Sequence, residues 1–519
     1  MIKKLAHNVF VYLSILLVLA MIIYGFSRVY AYFNTGADKR DILLLGSEQL
    51  SEHYMPETTW IDEEMAEGRT LEAATKRKVE DDYLSSYYYQ YHASANGLTK
   101  GLKDYYTEHA RETLIRLATY YQHNDQKVKG TTISHTITPK FYSADGTLVV
   151  ISDEVISYNE SQVGGIRINY YDTASYDVML LLEDNYWRIR HKERKALTKD
   201  KLIKPDKTSM YQIAGGKFYE SGEAFQLKCI NYYPGKSPWT AMWENFDIQT
   251  IEQDFRKLKS IGFNSVRIFV PFETFGKGTV DHQHLSNLNE LLTVADQLSL
   301  KVIVTLFDFF LGYEVTEWTI SDRHAEQVVK AVSHHPSLFA WDVKNEPDLD
   351  FDRLGKHQVT SWLNFIIRRI KTFDPNHFVT IGWSQPEVST ELADEQDFIS
   401  FHFYRDPSEL VNFLENHQTK GKPLFLGETG MHSYSKWWFP FSKYEGDQAA
   451  YVNQILSVVD DYQLHYGIWT LYDFKNVPSN VAGRVPWKKN PQKYYGLIDS
   501  KGRNKKIYDV ILKFNCDEK

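Results

Sequence analysis

The chain has 519 residues, of which 43% are hydrophobic, 24% charged and 15% aromatic. This length exceeds the usual size of one domain and predicts two or three. The formal net charge of −8, from 67 acidic and 59 basic residues, argues against a nucleic-acid-binding protein, which would concentrate basic residues on one face. The two cysteines, Cys229 and Cys516, imply no disulfide framework.

An apolar run of 18 residues, Val9 to Phe26, follows Lys3 and Lys4 near the N-terminus. As a helix it would be about 27 Å long, enough to cross a bilayer, and the two lysines favour a cytoplasmic location for the short preceding tail. A cleaved signal peptide is the alternative, but the run is longer than a typical signal core and no small-x-small cleavage motif follows it. We predict a cytoplasmic tail and uncleaved transmembrane anchor over residues 1–30, then a polar spacer over 31–80.

Residues 81–192 combine a helical segment with long alternating segments. Leu102, Tyr105 and Ile115 are compatible with an amphipathic helix. This order of elements resembles the nuclear transport factor 2-like α+β cone fold, which implies a ligand-holding, structural or partner-binding module. No acid–base or metal-binding constellation is apparent in this segment. The strand-like segments are Thr131–Phe141, Thr147–Tyr158, Ile166–Leu182 and Tyr186–His191, with hairpin turns at 144–146 and 183–185.

A lysine-rich linker at 193–214 precedes a region, 215–515, in which strand-like and helix-like segments alternate. This alternation is typical of a parallel sheet with crossover helices. Eight strand-like segments in about 290 residues match the size of a (β/α)8 TIM barrel. A doubly wound open sheet is the alternative, but no glycine-rich phosphate loop follows any strand. The strand-like segments are Phe225–Tyr233, Ser265–Val270, Lys301–Phe307, Leu338–Val343, Phe378–Ile381, Phe398–His402, Pro423–Leu426 and Gly467–Leu471, with a short, poorly patterned helix near 388–396.

Two short motifs place a glutamate directly after a strand-like segment. Asn345-Glu346-Pro347 follows Leu338–Val343, and Gly427-Glu428-Thr429 follows Pro423–Leu426. If both segments are parallel barrel strands, the two carboxyl groups meet at the C-terminal rim, where such barrels hold their active sites. Two facing carboxyl groups can cleave a glycosidic bond, one as acid and the other as nucleophile or base. Two unrelated charged loop residues are the alternative interpretation.

Polar and aromatic residues also end other predicted strands: Asn231 in the first, Arg267 in the second, His402-Phe403-Tyr404 in the sixth and Trp469 in the eighth. Together with the two glutamates, this set resembles glycoside hydrolase family 5 and its relatives in the clan of retaining (β/α)8 glycosidases. The resemblance covers about 215–515 and implies that Glu346 is the acid/base and Glu428 the nucleophile. Phe307-Asp308-Phe309 departs from the family, in which many members carry a histidine after strand 3. The substrate-binding residues that the resemblance implies are Asn231, Arg267, Asn345, His402, Tyr404 and Trp469.

The chemistry sets requirements for these side chains. Glu346 needs a pKa raised by burial and a neighbouring carboxylate to be protonated near neutral pH. Arg267 and Tyr404 can donate hydrogen bonds to Glu428 and keep it ionised. Asn345 suits the sugar 2-hydroxyl, and Trp469 offers a flat floor for a sugar ring. The structural alternatives are a salt bridge for Arg267, a buried core position for His402 and barrel packing for Trp469.

The loops of the barrel are rich in tryptophan, which predicts a groove for several sugar units. We therefore predict a membrane-anchored, extracytoplasmic retaining β-glycosidase that acts within a polysaccharide, without a metal or organic cofactor. Residues 81–192 offer a surface for a protein partner. The alternatives are a transglycosylase on the same barrel and a non-catalytic glycan-binding or polysaccharide-assembly protein, against which the presence of both glutamates argues. The loop tryptophans are Trp239, Trp243, Trp318, Trp437, Trp438 and Trp487.

Overall fold

The protein is described from a computed structural model. The predicted anchor, Val9–Phe26, lies outside the described residues apart from Met21 and Tyr24, as do most of the predicted spacer and linker. None of the helices in the described part of the chain combines the length and the apolar character needed to span a bilayer. The described residues are 21, 24, 54–61, 68–163, 166–195, 210–416, 421–437, 439–482 and 485–516.

An α+β unit occupies the described residues between 54 and 195. Its helices pack on one face of a five-stranded sheet with the order β1-β2-β3-β4-β5, in which β1 pairs with β2 in parallel and the other pairs are antiparallel. The core between helices and sheet contains tyrosines from the first helix and aliphatic residues from the strands. The elements are β1 (Glu57–Trp60), α1 (Ala73–Asn96), α2 (Leu102–Tyr105), α3 (Glu108–His123), β2 (Lys127–Tyr142), β3 (Leu148–Val163), β4 (Ile166–Glu183) and β5 (Tyr186–Lys195).

This unit begins earlier than residue 81, the predicted boundary. Both β1 and the first turns of α1 fall within the predicted spacer. The sequence did not reveal this helix because α1 buries residues such as Asp82, Tyr83 and Ser86 instead of a stripe of aliphatic residues. The single predicted helix near 102–117 is two helices, α2 and α3, separated by the extended residue Tyr106. The relationship to the cone fold family stays a prediction.

The second unit is a closed barrel of eight parallel strands with helices around it. The (β/α)8 prediction is therefore confirmed, and the open-sheet alternative is wrong. The barrel strands are β9 (Lys228–Asn231), β10 (Ser265–Pro271), β11 (Lys301–Asp308), β12 (Leu338–Asn345), β13 (Phe378–Trp383), β14 (Ile399–Phe403), β15 (Leu424–Thr429) and β16 (His465–Ile468). The helices are α4 (Ala241–Glu244), α5 (Ile248–Ser260), α6 (His282–Gln297), α7 (Trp318–Val332), α8 (Phe351–Leu354), α9 (Lys356–Phe373), α10 (Pro407–Asn416), α11 (Glu445–Asp461), α12 (Ser479–Ala482), α13 (Pro486–Lys489) and α14 (Lys506–Cys516).

Details of the barrel differ from the predicted segments. Phe225 belongs not to the first barrel strand but to a small antiparallel sheet, β6 (Tyr211–Ala214), β7 (Lys217–Glu220) and β8 (Glu223–Phe225). The Phe218 ring of this sheet packs 5.1 Å from the Phe339 ring, against the N-terminal end of β12. The helix predicted near 388–396 is wrong: the described chain there forms a 3₁₀ turn, Pro386–Val388, and further turns.

The α+β unit packs directly against the barrel. The Tyr158 ring of β3 lies 4.5 Å from the Trp318 ring at the start of α7. The backbone N–H of Met55 donates a hydrogen bond to Thr319 Oγ1 over 2.9 Å. Ile133 and Tyr158 are buried in the same apolar cluster as the barrel residues. The two units therefore have separate cores but share a buried apolar contact.

Candidate active site

Glu346 and Glu428 come together at the C-terminal ends of β12 and β15. A carboxylate oxygen of each and a ring nitrogen of His402 lie within 4.8 Å of one another. His402 Nδ1 is 2.9 Å from Glu346 Oε1 and 3.7 Å from Glu428 Oε2. The ring of His402 is buried, and it holds the two carboxyl groups at this short separation.

The backbone at Glu346 turns the side chain into the barrel opening. Glu346 has φ 48° and ψ 50°, a left-handed conformation that is unfavourable for a residue with a Cβ atom. Its N–H donates to the Gly382 carbonyl over 2.7 Å, which ties the turn to the neighbouring strand. Pro347 disfavours the right-handed helical conformation at the preceding residue. The Asn-Glu-Pro sequence is thus the local reason why the strand ends in this turn.

Arg267 lies within β10, is buried behind the cleft surface, and orients Glu428. Its Nη1 donates to Glu428 Oε1 over 2.6 Å and to Asn231 Oδ1 over 3.0 Å. Its Nη2 donates to Asn345 Oδ1 over 2.8 Å. The guanidinium is 2% exposed, and its charge is balanced by Glu428 and by Asp342, which accepts from Nε over 2.9 Å and from Nη2 over 2.5 Å. One buried cation therefore fixes the positions of the nucleophile candidate and of Asn345.

Asp342 fixes this arginine in turn. Besides Arg267, its carboxylate accepts hydrogen bonds from the Thr305 hydroxyl and the Gly382 N–H, both over 2.8 Å. Gly382 is required here because a Cβ atom would lie 2.8 Å from Arg267 Nη2 and 3.3 Å from His402 Nε2. Neither Asp342 nor Thr305 was identified from the sequence. The sequence did contain a signal for Asp342, which is a charged residue in the middle of an otherwise apolar strand. Because buried charges are usually paired, such a residue indicates a buried partner of opposite charge.

The exposed part of the site is a cleft of about 1040 Å³. Tyr404 donates a hydrogen bond to Glu428 Oε2 over 2.8 Å, and Trp469 and Asn345 line the cleft beside the two glutamates. The Asn345 side-chain NH2 group is left for a ligand, because only the amide oxygen receives Arg267. The structure therefore places Asn345, Tyr404 and Trp469 where a substrate can touch them.

The other predicted substrate-binding residues lie behind this surface. Asn231 uses its amide oxygen for Arg267 and its NH2 group for the carbonyls of Gly427 and Ile468, at 2.9 and 3.3 Å. Asn231, Arg267 and His402 are buried and do not line the cleft. Their side-chain hydrogen bonds are directed at carboxyl groups, at amide side chains and at the backbone, so they act as positioning residues in this structure. Direct contact of these three residues with substrate stays a prediction.

The tryptophan-lined groove predicted from the loops is wrong in its composition. Trp239 lines the cleft, whereas Trp243 is buried in the core. Trp437 and Trp487 are 97% and 62% exposed and do not line the cleft, and Trp438 lies outside the described residues. Phenylalanine and tyrosine supply most of the aromatic wall: Tyr233, Phe269, Phe272, Phe309, Phe310, Tyr404 and Tyr495.

The pKa of Glu346 differs from the raised value expected from the sequence. Burial raises it, but the hydrogen bond and charge of His402, together with the charges of Arg267 and Lys344, outweigh burial and hold the pKa of Glu346 below its usual value. Burial lowers the pKa of His402, but Glu428 and Glu346 together raise it above its usual value. Both directions favour an imidazolium beside a carboxylate at the contact between His402 Nδ1 and Glu346 Oε1.

Asp308 and Lys344 are two further charged residues in the cleft. Burial raises the pKa of Asp308 to about 7, although Lys344 and Arg267 favour its charged form. Its nearest side-chain hydrogen-bond donor is the Tyr233 hydroxyl, 3.5 Å from Oδ2. The Lys344 ammonium lies 3.4 Å from Asp350 Oδ2. Lys344 was missed from the sequence because it follows the apolar segment of β12 and precedes the conspicuous Asn345-Glu346 pair.

Glu346, His402 and Glu428 also have the residue types and spacing of a metal site. Arg267 lies 2.6 Å from Glu428, however, so one of the candidate ligands already has a cationic partner. His402 Nδ1 is also engaged by Glu346. The site is therefore better suited to sharing a proton between His402 and Glu346 than to holding a metal ion.

The chain is similar to a family of known proteins. The family model for cellulase (glycosyl hydrolase family 5) matches residues 219–475. The chain is 23% identical over 238 residues to a putative mannan endo-1,4-beta-mannosidase 4 of Arabidopsis thaliana. This alignment covers 36% of this chain and 58% of that protein. The chain is 24% identical over 296 residues to a putative mannan endo-1,4-beta-mannosidase P of the same plant, covering 42% and 72%.

A solved structure is also similar to the chain. The exo-beta-1,4-mannosidase Op5Man5 from Opitutaceae bacterium strain TAV5 is 20% identical, with a TM-score of 0.49. The match covers 59% of this chain and 62% of that one. The chain thus spans less than two thirds of this enzyme and of the first mannosidase relative.

Proposed function

We propose that this protein, whose residues 219–475 form a glycoside hydrolase family 5-like domain, is a retaining β-glycosidase that cleaves within a β-linked polysaccharide. The observation that carries the proposal is that one carboxylate oxygen of Glu346 and one of Glu428 lie within 4.8 Å of each other. This approach supports the retaining arrangement, in which the carboxyl groups are about 5–5.5 Å apart, over the inverting one, in which they are about 6.5–9.5 Å apart.

The two carboxyl groups have different surroundings, and these assign their roles. Glu428 accepts hydrogen bonds from Arg267 and Tyr404, which hold its carboxyl group in place for attack on the anomeric carbon. Glu346 shares a proton with His402 and can pass it to the leaving glycosidic oxygen. The first step forms a bond from Glu428 to the anomeric carbon and releases the leaving chain as an alcohol. In the second step Glu346 takes a proton from water, the oxygen attacks the anomeric carbon, and Glu428 is released.

The substrate is proposed from the size of the cleft and from the relatives. A volume of about 1040 Å³ is at the upper end for small-molecule sites, which supports the binding of several sugar units rather than one. The curated relatives named above are mannan endo-1,4-beta-mannosidases. A β-1,4-linked mannan is therefore the first polysaccharide to test, ahead of β-glucans and bacterial exopolysaccharides.

This function predicts retention of configuration at the anomeric carbon. The full-length protein is incubated with each polymer, and the reducing ends that appear are followed by proton NMR within the first minutes. We expect the β-anomer to appear first and the α-anomer to follow by mutarotation, because two inversions occur in sequence. A first product in the α configuration, or no new reducing ends from any β-linked polymer, would exclude the proposal.

We also propose that Val9–Phe26 anchors the protein in the cytoplasmic membrane with the barrel on the outer side. The support is the 18-residue apolar run and the two lysines before it. We expect the full-length protein to stay in the membrane fraction through a high-salt wash and to be released by detergent. Release by salt alone, or a mature N-terminus near residue 30, would contradict an uncleaved anchor.

A further inference from the structure

A second cavity, of about 520 Å³, lies between the α+β unit and the barrel. We call it the interdomain groove. Its first wall consists of strand ends of β2, β3 and β4 and the last residues of α1. Its second wall consists of barrel residues in the segments 314–318 and 354–361, which include Trp318. The packing of Tyr158 on Trp318 at 4.5 Å fixes the two walls against each other.

Strand register places long polar side chains side by side on the first wall. Lys127 of β2 pairs with Gln162 of β3, and Gln162 pairs with Arg167 of β4. Paired residues on neighbouring strands put their side chains on the same face of the sheet. Lys127, Gln162 and Arg167 therefore form one row across three strands, and Lys129 and Glu160 begin a parallel row two residues further along.

The cations of the first row are available to a ligand. Lys127 and Arg167 are exposed, and within the described residues neither forms an ion pair. Lys129 differs, because it is paired with Glu314 at 3.0 Å. Lining residues carry four positive charges and two negative ones: Lys127, Lys129, Arg167 and Lys356 against Glu160 and Glu314, with His357 counted as neutral. Lys356 is paired with Glu391, which does not line the groove, so the excess of positive charge comes from Lys127 and Arg167. The groove is thus basic on a chain whose net charge is −8.

The catalytic cleft has the opposite charge and shares a wall with the groove. Gly312 and Glu317 line the cleft, whereas Glu314 and Trp318, from the same segment, line the groove. The cleft is lined by six carboxyl groups and two lysines: Glu273, Asp308, Glu317, Glu346, Asp350 and Glu428 against Lys277 and Lys344. The cleft therefore disfavours an acidic sugar at the cleaved bond, while the neighbouring groove favours one.

We propose that the interdomain groove binds a carboxylate-bearing stretch of the same polysaccharide that is cleaved, through a neutral unit, in the cleft. The ligand's identity as a polysaccharide rests on the proposed function. Arg167 can bind a sugar carboxylate through two parallel hydrogen bonds and Lys127 through its ammonium charge. The Gln162 amide between them can bind sugar hydroxyls. The α+β unit is then part of the substrate-binding surface of the enzyme.

The test compares two cellulose ethers that share a backbone and differ in charge. The full-length protein carrying Glu428→Gln, which prevents cleavage, is run by affinity electrophoresis through gels containing carboxymethyl or hydroxyethyl cellulose. We expect tighter binding to the carboxymethyl polymer, and an affinity about five- to tenfold lower when Lys127→Ala and Arg167→Ala are added. The control is Lys103→Ala with Arg190→Ala, which removes the same charge from exposed positions outside the groove and should change the affinity less than twofold.

The outcomes separate the groove from the proposed catalytic function. Equal binding of the two polymers, or an equal loss in the control pair, would overturn the groove proposal, since the binding would then be unspecific. Binding needs no turnover, so a groove that binds carboxymethyl cellulose in a protein that cleaves no polysaccharide would refute the catalytic function alone. Cleavage of a polysaccharide by a protein whose groove variants bind like the parent protein would refute the groove alone.

Discussion

Replacing Glu428 by glutamine is expected to lower kcat by about 10⁴-fold or more, because the amide cannot form the covalent bond to the anomeric carbon. The fold should persist, since the amide oxygen of the new side chain can still accept the hydrogen bond that Arg267 donates to Glu428 over 2.6 Å. The measurement is the release of reducing ends together with the melting temperature. The matched control is Glu252→Gln on α5, an exposed glutamate paired with Arg256, which should keep kcat within about twofold.

Azide distinguishes the two glutamates. In Glu346→Ala, small anions should restore turnover of an activated aryl glycoside and give a β-glycosyl azide, because the nucleophile is intact and azide enters in the second step. In Glu428→Ala no glycosyl-enzyme forms, so azide should attack the anomeric carbon of the bound substrate directly and give the inverted α-azide. A β-azide from the Glu428 variant would reverse the assignment of nucleophile and acid/base.

The barrel could be predicted because its strands are buried on all sides. Such strands are short apolar runs, and the alternation with helices made their order and number readable. The proximity of Glu346 and Glu428 could be inferred from their positions at the ends of two barrel strands, because parallel strands have their C-terminal ends at the same rim. The boundaries were harder, as the shift of Phe225 into the small sheet at the barrel base illustrates.

The supporting residues could not be predicted with the same ease. Asp342 lies within a strand that reads as apolar, and its partnership with Arg267 joins residues 75 positions apart. The roles of Asn231 and His402 depend on which directions their hydrogen bonds take, and strand position does not determine this. The same limit applies to the pKa of Glu346, which depends on its burial, on the 2.9 Å contact with His402 and on the charges of Arg267 and Lys344.

The α+β unit shows a different limitation. Its first helix packs tyrosines and serines inward, so that hydrophobic periodicity, the main sequence signal for a helix, is weak. The unit also contains a buried polar cluster that was missed: His135 Nδ1 lies 2.7 Å from Asp153 Oδ2, and Tyr83 donates to the same oxygen over 2.9 Å. All three residues are buried, so this cluster specifies the core packing between α1 and the sheet.

Arg267→Met is expected to damage both stability and catalysis. It removes the only cation that hydrogen-bonds Glu428 and Asp342 among the described residues, and leaves two carboxylates buried together. Breaking a buried pair in this way costs about 3–5 kcal/mol, which corresponds to a fall in melting temperature of about 10 °C for a domain of this size. We also expect kcat to fall at least about 100-fold, because Glu428 loses its orientation towards the anomeric carbon.

Arg369→Met separates the two effects. Arg369 forms an ion pair with Asp322 over 2.7 Å and is largely buried, but this pair joins α9 to α7 and does not line the cleft. We expect a lower melting temperature with kcat within about twofold of the parent protein, measured well below the transition. If Arg267→Met also kept its kcat, the arginine would serve only as a structural ion pair, and its proposed role in orienting Glu428 would be wrong.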